Sequence, residues 1–350
     1  VTPALALAER IAARGDRVVV MGGRRGLETR LVPQAGFELL ALPARPLVGR
    51  GLAASLLALP VNAAACASAW SALGRLRARL VVSVGGYASV PAVIAAAARR
   101  IPLALVEPNA VPGRANRVAA RFARACFAGF EETARRLEAS APGRVRVTGI
   151  PLRRALVAAF DGAAERRVPA PPHRLLVFGG SQGARQINDA MIEIAPGLDP
   201  REIEIFHQTG EADRERVAAA YSRAGLRAEV VAFEPEMPRR YRWADLAVCR
   251  SGALTVAELA MAGLPALLVP FPHAADDHQR ANARALASAG AARVLESRPL
   301  AAAELARALR EAFEKPAELA AMGRAAARAA RPDAAERIVA ECAALLADGG

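Results

Sequence analysis

The sequence predicts an α/β protein of two consecutive doubly wound domains, with the cleft between them as the default ligand site. Three observations carry that reading. Short runs of β-branched or aliphatic residues bounded by Gly, Pro or Arg recur along the chain, as strands buried on both faces do. Alanine-rich stretches of helical period lie between them, which is the alternation of a parallel sheet. The pattern then restarts after a charged and proline-rich connector, Ala164-Glu165-Arg166-Arg167-Val168-Pro169-Ala170-Pro171-Pro172. A chain of 350 residues also exceeds the usual size of one hydrophobic core.

In chain order, Val1 to Ala12 reads as an amphipathic helix with Thr2 as N-cap and Pro3 in its first turn. A doubly wound sheet normally places a central strand and a glycine loop ahead of that helix. The expectation is therefore a missing first strand and loop, roughly 15 residues preceding Val1. Strands are predicted at 18–21, 80–84, 103–106 and 145–148, with Pro91 to Arg100 and Asn116 to Phe127 as helices. In the second half, strands are predicted at 174–178, 203–207, 229–232, 246–249 and 266–270. The boundaries expected are an N-terminal domain over 1–152, a linker over 153–172, a C-terminal domain over 173–333, and a helix over 334–350 that can return to the N-terminal domain.

Charge separates the two halves. The first 150 residues hold 21 arginines against eight carboxylates, whereas the remainder is neutral, so the whole excess of +13 belongs to one domain. No acidic residue lies between Glu38 and Glu107, a gap that contains Arg45, Arg50, Arg75, Arg77, Arg79, Arg99 and Arg100. Such a face attracts polyanions. Aromatic residues make up 4% and no basic–aromatic stacking pattern appears, which disfavours nucleic acid and leaves an anionic membrane surface as the partner. The uncharged segment Gly51 to Gly74 contains Pro60, Asn62 and much alanine, so it is too weakly apolar for a spanning helix. It reads either as an interfacial element presenting Leu52, Leu56, Leu57, Leu59 and Trp70 to lipid, or as a buried helix pair with a solvated basic rim. Cys66, Cys126, Cys249 and Cys342 form no CxxC pair and read as buried thiols of a reducing compartment, the cytoplasm.

Four segments carry candidate chemistry. Phe178-Gly179-Gly180-Ser181-Gln182-Gly183-Ala184-Arg185 is a strand end, a glycine-rich turn and a helix start, where backbone N–H groups can approach a phosphate. Its spacing matches neither GxGxxG nor a P-loop. Val84-Gly85-Gly86-Tyr87 forms a similar turn in the first half. In Cys249-Arg250-Ser251-Gly252-Ala253-Leu254-Thr255, the backbone at Ala253 to Thr255 can cap a diphosphate, and Glu258 can accept ribose hydroxyls. In Pro270 to Asn282, the cluster His273, Asp276, Asp277 and His278 has no second group to complete a metal site, so His278 and Gln279 read instead as sugar contacts.

These motifs, in this order, resemble the MurG family of glycosyltransferases over Val1 to about residue 340. Val1-Thr2-Pro3-Ala4-Leu5-Ala6 is similar to the sequence after that family's first glycine loop, and Gly85-Gly86-Tyr87 to its second. Gly180-Ser181-Gln182-Gly183-Ala184-Arg185, His207-Gln208-Thr209-Gly210, Arg250-Ser251-Gly252-Ala253-Leu254-Thr255 and Ala275-Asp276-Asp277-His278-Gln279 resemble its donor-domain signatures. The resemblance implies a GT-B architecture of two Rossmann-like domains. The N-terminal one would bind a lipid acceptor and associate with the membrane, and the C-terminal one would bind UDP-GlcNAc.

By the same resemblance, Arg153, Ser181 and Gln182 would meet the donor on its diphosphate side, with backbone donors from Ala253, Leu254 and Thr255. Glu258 would hold the ribose, the backbone at Phe233 and Glu234 would read uracil, and His278 and Gln279 would touch the sugar. Gly85, Gly86, Tyr87, Asn109 and Asn116 would face the acceptor, with Tyr87, Glu107 and Asn109 supporting catalysis. The reaction implied is inverting transfer to the muramyl 4-hydroxyl of lipid I, giving lipid II for peptidoglycan. No cofactor and no metal are implied, because Arg153 and the helix dipole at Ala253 would stabilise the leaving diphosphate. The candidate base, a histidine in the first glycine loop, would precede Val1. A peripheral place on the cytoplasmic face of the cell membrane follows, with cell-wall synthesis proteins as further partners. Two alternatives stay open: another GT-B glycolipid transferase, and a non-catalytic membrane platform that binds sugar nucleotide.

Overall fold

A computed structural model describes residues 1–45, 52–162, 166–180 and 183–347. The chain divides into two compact units, Val1–Arg154 with Arg331–Gly350, and Ala155–Ala330.

Unit 1 begins with α1 (Thr2–Ala12), which Pro3 starts because it has no N–H to leave unpaired in a first turn. There follow β1 (Val19–Gly23), α2 (Glu28–Gln34), β2 (Glu38–Leu42), α3 (Leu52–Arg75), β3 (Val81–Ser83), α4 (Val90–Ala98), β4 (Leu103–Glu107), α5 (Arg114–Ala119), β5 (Ala125–Ala128), α6 (Glu131–Glu138) and β6 (Val145–Val147). Among the described residues these strands form two parallel sheets, β1-β2 and β3-β4-β5-β6. Leu7 of α1 packs on Ala104, Val106 and Phe127, and so do Ile338 and Cys342, which come from the far end of the chain. On another side Ala65, Ala69 and Leu73 of α3 meet Ala95 and Ala96 of α4, where small side chains let the two helices approach closely.

Helix α7 (Arg154–Phe160) begins at the boundary, and unit 2 continues through β7 (His173–Phe178), α8 (Arg185–Ile194), β8 (Ile203–Gln208), α9 (Arg214–Arg223), β9 (Arg227–Val231) and α10 (Met237–Trp243). It goes on with β10 (Leu246–Cys249), α11 (Ala253–Ala262), β11 (Ala266–Leu268), α12 (His278–Ser288), β12 (Ala292–Val294), α13 (Ala302–Phe313) and α14 (Pro316–Ala329), before α15 (Ala334–Ala347) rejoins unit 1. One parallel sheet runs in the order β12-β11-β10-β7-β8-β9. The chain moves outward from β7 to β9 and returns at β10, beside β7, with Leu246 opposite Leu175. That reversal is a topological switch point, where loops at the carboxyl ends of the strands part and open a crevice.

The structure corrects several expectations. The stretch Asn116 to Phe127 is not one helix, since α5 ends at Ala119 and Ala125-Cys126-Phe127-Ala128 forms β5. Those four residues are buried between β4 and β6, so sheet pairing overrides the helix propensity of alanine. Val1, not Thr2, is the N-cap of α1. The segment read as an interfacial element or a helix pair is one helix, α3, with Pro60 inside it. Leu59 and Trp70 are exposed on it, whereas the side chains of Leu52, Leu56 and Leu57 lie outside the described residues. Three strands lie outside the predicted segments, β2, β5 and β12. Of the four cysteines, Cys66 is only half-buried, and all four are free thiols.

Candidate active site

The loops after β7, β8, β9, β10 and β11 all leave the same edge of the unit 2 sheet. Gly179 and Gly183 frame the first of them, and Gly183 N–H donates to the Gly180 carbonyl at 2.9 Å. A Cβ on Gly183, whose φ is +74, would collide with the backbone carbonyl of Thr209. The two loops therefore touch backbone to backbone, and only glycine fits. Ser181 and Gln182, expected at the diphosphate, lie outside the described residues.

A buried network fixes the partner loop. Asn188 Nδ2 donates to Thr209 O at 3.0 Å and to Asp213 Oδ2 at 2.8 Å, so its Oδ1 faces His207 Nε2 at 3.0 Å. His207 must then carry its proton on Nε2, which leaves Nδ1 to accept from the Tyr221 hydroxyl at 2.8 Å. Burial holds His207 neutral and drives its pKa down to about 3. This histidine is a strut. Asn188 and Tyr221 escaped the sequence reading, because partners on separate elements leave no periodic trace.

Helix α11 begins at Gly252, with no side-chain cap on its free N–H groups, at the crevice. Glu258, on its second turn, accepts the Tyr241 hydroxyl on Oε2 at 2.7 Å. Burial pushes the Glu258 carboxyl up to about 7, against the opposing pull of that hydrogen bond. One residue earlier on α10, Arg240 donates to Glu234 Oε2 at 2.6 Å, while Phe233 is exposed beside it. Two successive residues of α10 thus hold Glu258, expected at the ribose, and the side chain of Glu234, whose backbone was expected at uracil.

Against Gly179 and Gly183 of the glycine loop lies a cavity of about 630 Å³ lined also by Arg185, Arg250, Phe271, His273 and Gln279, among others. Arg250 follows the all-buried strand β10 and is itself buried, with Nη1 donating to Val269 O, Pro270 O and Gln186 Oε1 at 3.1–3.2 Å. Desolvation lowers its pKa to about 10, a value at which it remains a cation. A charge closing an otherwise apolar strand was the signal in the sequence that could have marked it. Gln279 Oε1 accepts from Phe271 N at 2.9 Å, and its backbone carbonyl accepts from Ser251 Oγ at 2.8 Å. The amide orientation that follows leaves Gln279 Nε2 as a donor. His278 opens α12 one residue before it, and Glu258, Phe233 and Glu234 are not among the residues lining this cavity.

In unit 1, Gly85 (φ +83), Gly86 (φ +85) and the exposed Tyr87 follow β3. Glu107, the last residue of β4, is buried and accepts from Asn109 N at 2.9 Å, Asn109 Nδ2 at 3.1 Å, Gly113 N at 2.9 Å and Asn116 Nδ2 at 2.8 Å. Four donors occupy both oxygens, so Glu107 organises the loop to Asn116 rather than offering a free base. Asn116 Oδ1 is buried without a hydrogen-bond partner. Arg153 also belongs to unit 1, where its Nε donates to Glu9 Oε1 at 2.8 Å.

The two parallel α/β units have the GT-B architecture, with an anion-ready helix terminus at the switch point of the second. Residues 1–128 match the glycosyltransferase family 28 N-terminal domain and residues 174–338 its C-terminal domain. The chain is 44% identical over 346 residues to the UDP-N-acetylglucosamine–N-acetylmuramyl-(pentapeptide) pyrophosphoryl-undecaprenol N-acetylglucosamine transferase of Anaeromyxobacter sp. strain K, covering 98% of this chain and 89% of that protein. It is similar to the crystal structure of Acinetobacter baumannii MurG, with a TM-score of 0.76 and 30% identity over 97% of this chain and 94% of that one. The Neisseria meningitidis UDP-GlcNAc 2-epimerase bound to UDP-GlcNAc shares the fold alone, with a TM-score of 0.67 at 13% identity over 96% of this chain and 94% of that one. The chain belongs to glycosyltransferase family 28, and within it to the MurG family.

Proposed function

We infer that this chain transfers N-acetylglucosamine from UDP-GlcNAc to the 4-hydroxyl of the muramyl sugar of undecaprenyl-diphosphate-MurNAc-pentapeptide, converting lipid I to lipid II with inversion. The observation that carries the reading is α11, which offers an uncapped N-terminus at the crevice and, on its second turn, a carboxylate held by the Tyr241 hydroxyl. A nucleotide laid along it would set its diphosphate on the N–H groups of Ala253 to Thr255 and its ribose at Glu258. Uracil would lie toward the backbone of Phe233 and Glu234. The sugar would lie toward Gln279 Nε2 and His278, with the loop of Ser181 and Gln182 beside the diphosphate. As the glycosidic bond breaks, negative charge grows on the diphosphate, and donors already in place stabilise it more than they stabilise the ground state.

Unit 1 is read as the acceptor unit. Gly86, Tyr87, Asn109 and the unpartnered Asn116 Oδ1 supply the polar groups that support this. Arg153, engaged by Glu9, is read as a structural residue of unit 1. The same unit is read as resting on anionic lipid at the cytoplasmic face of the membrane. Leu59, Trp70, Ile94, Val118 and Phe122 are exposed on α3, α4, α5 and the turn after α5. From Pro108 to Phe130 the only charged residues are Arg114, Arg117, Arg121 and Arg124, a second acid-free stretch beyond Glu107. Apolar side chains among arginines suit the lipid interface. Among the described residues no helix is long and apolar enough to cross a membrane.

Incubating the full chain with radiolabelled UDP-GlcNAc and a lipid I analogue tests the reaction. Label in the lipid fraction that depends on the muramyl acceptor is expected. Transfer to diacylglycerol instead would assign a different glycolipid transferase. Tight UDP-GlcNAc binding with no transfer to any acceptor would leave a binding platform.

A further inference from the structure

We propose that Tyr241 is a positioning residue for the donor: its hydroxyl fixes the Glu258 carboxylate in the orientation that accepts the ribose hydroxyls of UDP-GlcNAc. This rests on the reading of Glu258 as the ribose-binding group.

Tyr241 has the immobility such a role needs. It is fully buried on α10, and its ring lies tilted by 58° against Phe178, 5.9 Å away, the last residue of β7 before the glycine loop. Its backbone carbonyl accepts from Arg166 Nη1 at 3.0 Å. The same nitrogen reaches Ala262 O at 3.2 Å, and the other terminal nitrogen reaches Ala244 O. One guanidinium thus holds the ends of both α10 and α11. Between those helices the phenol meets Glu258 Oε2 at 2.7 Å. A carboxylate otherwise rotates about its last torsion, and a single strong bond from a fixed donor removes that freedom. With Oε2 engaged, Oε1 is the oxygen left for a ligand hydroxyl.

The charge states agree with the geometry. Burial, followed by the nearby Glu258, raises the Tyr241 phenol well above its ordinary range, so it stays a donor at neutral pH. Burial raises Glu258 to about 7, and the phenol's hydrogen bond works the other way. The groups facing this carboxylate are Tyr241 from α10 and the buried Cys249 thiol of β10, which is itself pushed up by burial and by Glu258. The shift of Glu258 has two causes, burial and the Tyr241 hydrogen bond. The hydroxyl is therefore what keeps a desolvated carboxylate both ionisable and aimed. Ribose hydroxyls donate best to the ionised form, so affinity should rise as pH climbs through about 7.

Replacing Tyr241 with Phe removes one oxygen and leaves the ring in place. UDP titration calorimetry of Y241F should show affinity weakened roughly tenfold, as for loss of a charge-assisted bond at a ligand-holding group. The KM for UDP-GlcNAc should rise with kcat at saturation nearly unchanged, and the acid limb of the binding profile should move to higher pH. Carbon-13 titration of the Glu258 carboxyl should record the same upward shift. Placed on E258Q, the Y241F change should add nothing. If E258Q weakens UDP binding while Y241F leaves affinity and pH profile at parent values, the positioning role fails and the ribose reading stands. If E258Q binds UDP as the parent does, both fail. Equal losses from Y241F in the parent and E258Q backgrounds would mark Tyr241 as a packing residue only and overturn the proposal.

Discussion

Each unit places a glycine loop after a strand, yet the loops are held by different kinds of neighbour. In unit 2 a Cβ on Gly183 would strike the Thr209 carbonyl, which is backbone and is itself locked. Thr209 N donates to Val231 O at 3.0 Å, and Thr209 O accepts from Asn188. In unit 1 a Cβ on Gly85 would meet the Asn116 amide at 2.6 Å, a side chain that can move. Gly86 has nothing within 4 Å. Gly183 is thus packed against locked backbone, whereas Gly85 leans on a side-chain amide. A phosphate held by N–H groups tolerates little displacement, since the strength of those bonds depends on distance and angle.

The largest effect that this contrast predicts is in unit 2. Gly183→Ala forces a methyl into backbone at a φ of +74, with no side chain able to give way. Unit 2 should lose more than about 3 kcal/mol of stability, the scale of overpacking added to backbone strain. UDP affinity should fall with it. Urea unfolding that matched the parent would show the two loops to be equally permissive.

Gly85→Ala should be milder. Positive φ costs roughly 1 kcal/mol for a residue with a Cβ, and displacing Asn116 from Glu107 Oε2 adds about 1 kcal/mol. Gly113 N remains on that oxygen, so the buried carboxylate is never bare. In an Asn116→Ala background the same glycine change should cost only the conformational part. Thermal unfolding of the four variants measures the coupling, and purely additive effects would separate Gly85 from the Glu107 network.

How much of this was legible beforehand follows from the same physics. Strands composed of Val and Leu, such as β4, β7 and β10, announce themselves because burial on both faces demands unbroken apolar runs. Glu38-Leu39-Leu40-Ala41-Leu42 does not, for its residues favour helix, and only pairing with β1 makes it β2. Alanine misled at β5 for the same reason, and β12 is three residues long. At the site, Glu258 and the glycine turns could be singled out because backbone freedom and a lone carboxylate in an apolar helix are local features. Tyr241, Arg240, Asn188 and Arg250 act across elements, with partners 6 to 64 residues away in their hydrogen bonds to Glu258, Glu234, His207 and Gln186. Only the folded sheet brings them together.

The smallest expected change in stability separates the units by charge. Arg75, Arg77 and Arg79 are exposed, and among the described residues their contacts are a bond from Arg75 to Ser71 at 2.8 Å and an ion pair of Arg79 with Asp16 at 3.9 Å. Exposed pairs of this kind contribute about 0–1 kcal/mol. Changing all three arginines to Glu should therefore shift the unfolding free energy by less than about 1 kcal/mol. The same change replaces three positive charges with three negative ones on the arginine-rich unit. Each basic residue near an anionic surface contributes about 1 kcal/mol of attraction, so binding to vesicles containing anionic lipid should fall by two orders of magnitude or so. The binding that remains should lose its salt dependence. Reversing the exposed Arg223, Arg310 and Arg324 of unit 2 changes the net charge equally and is the control. If the unit 2 variant leaves the vesicles as readily as the unit 1 variant, attraction follows net charge alone. If neither leaves, the arginines of unit 1 form a solvated face.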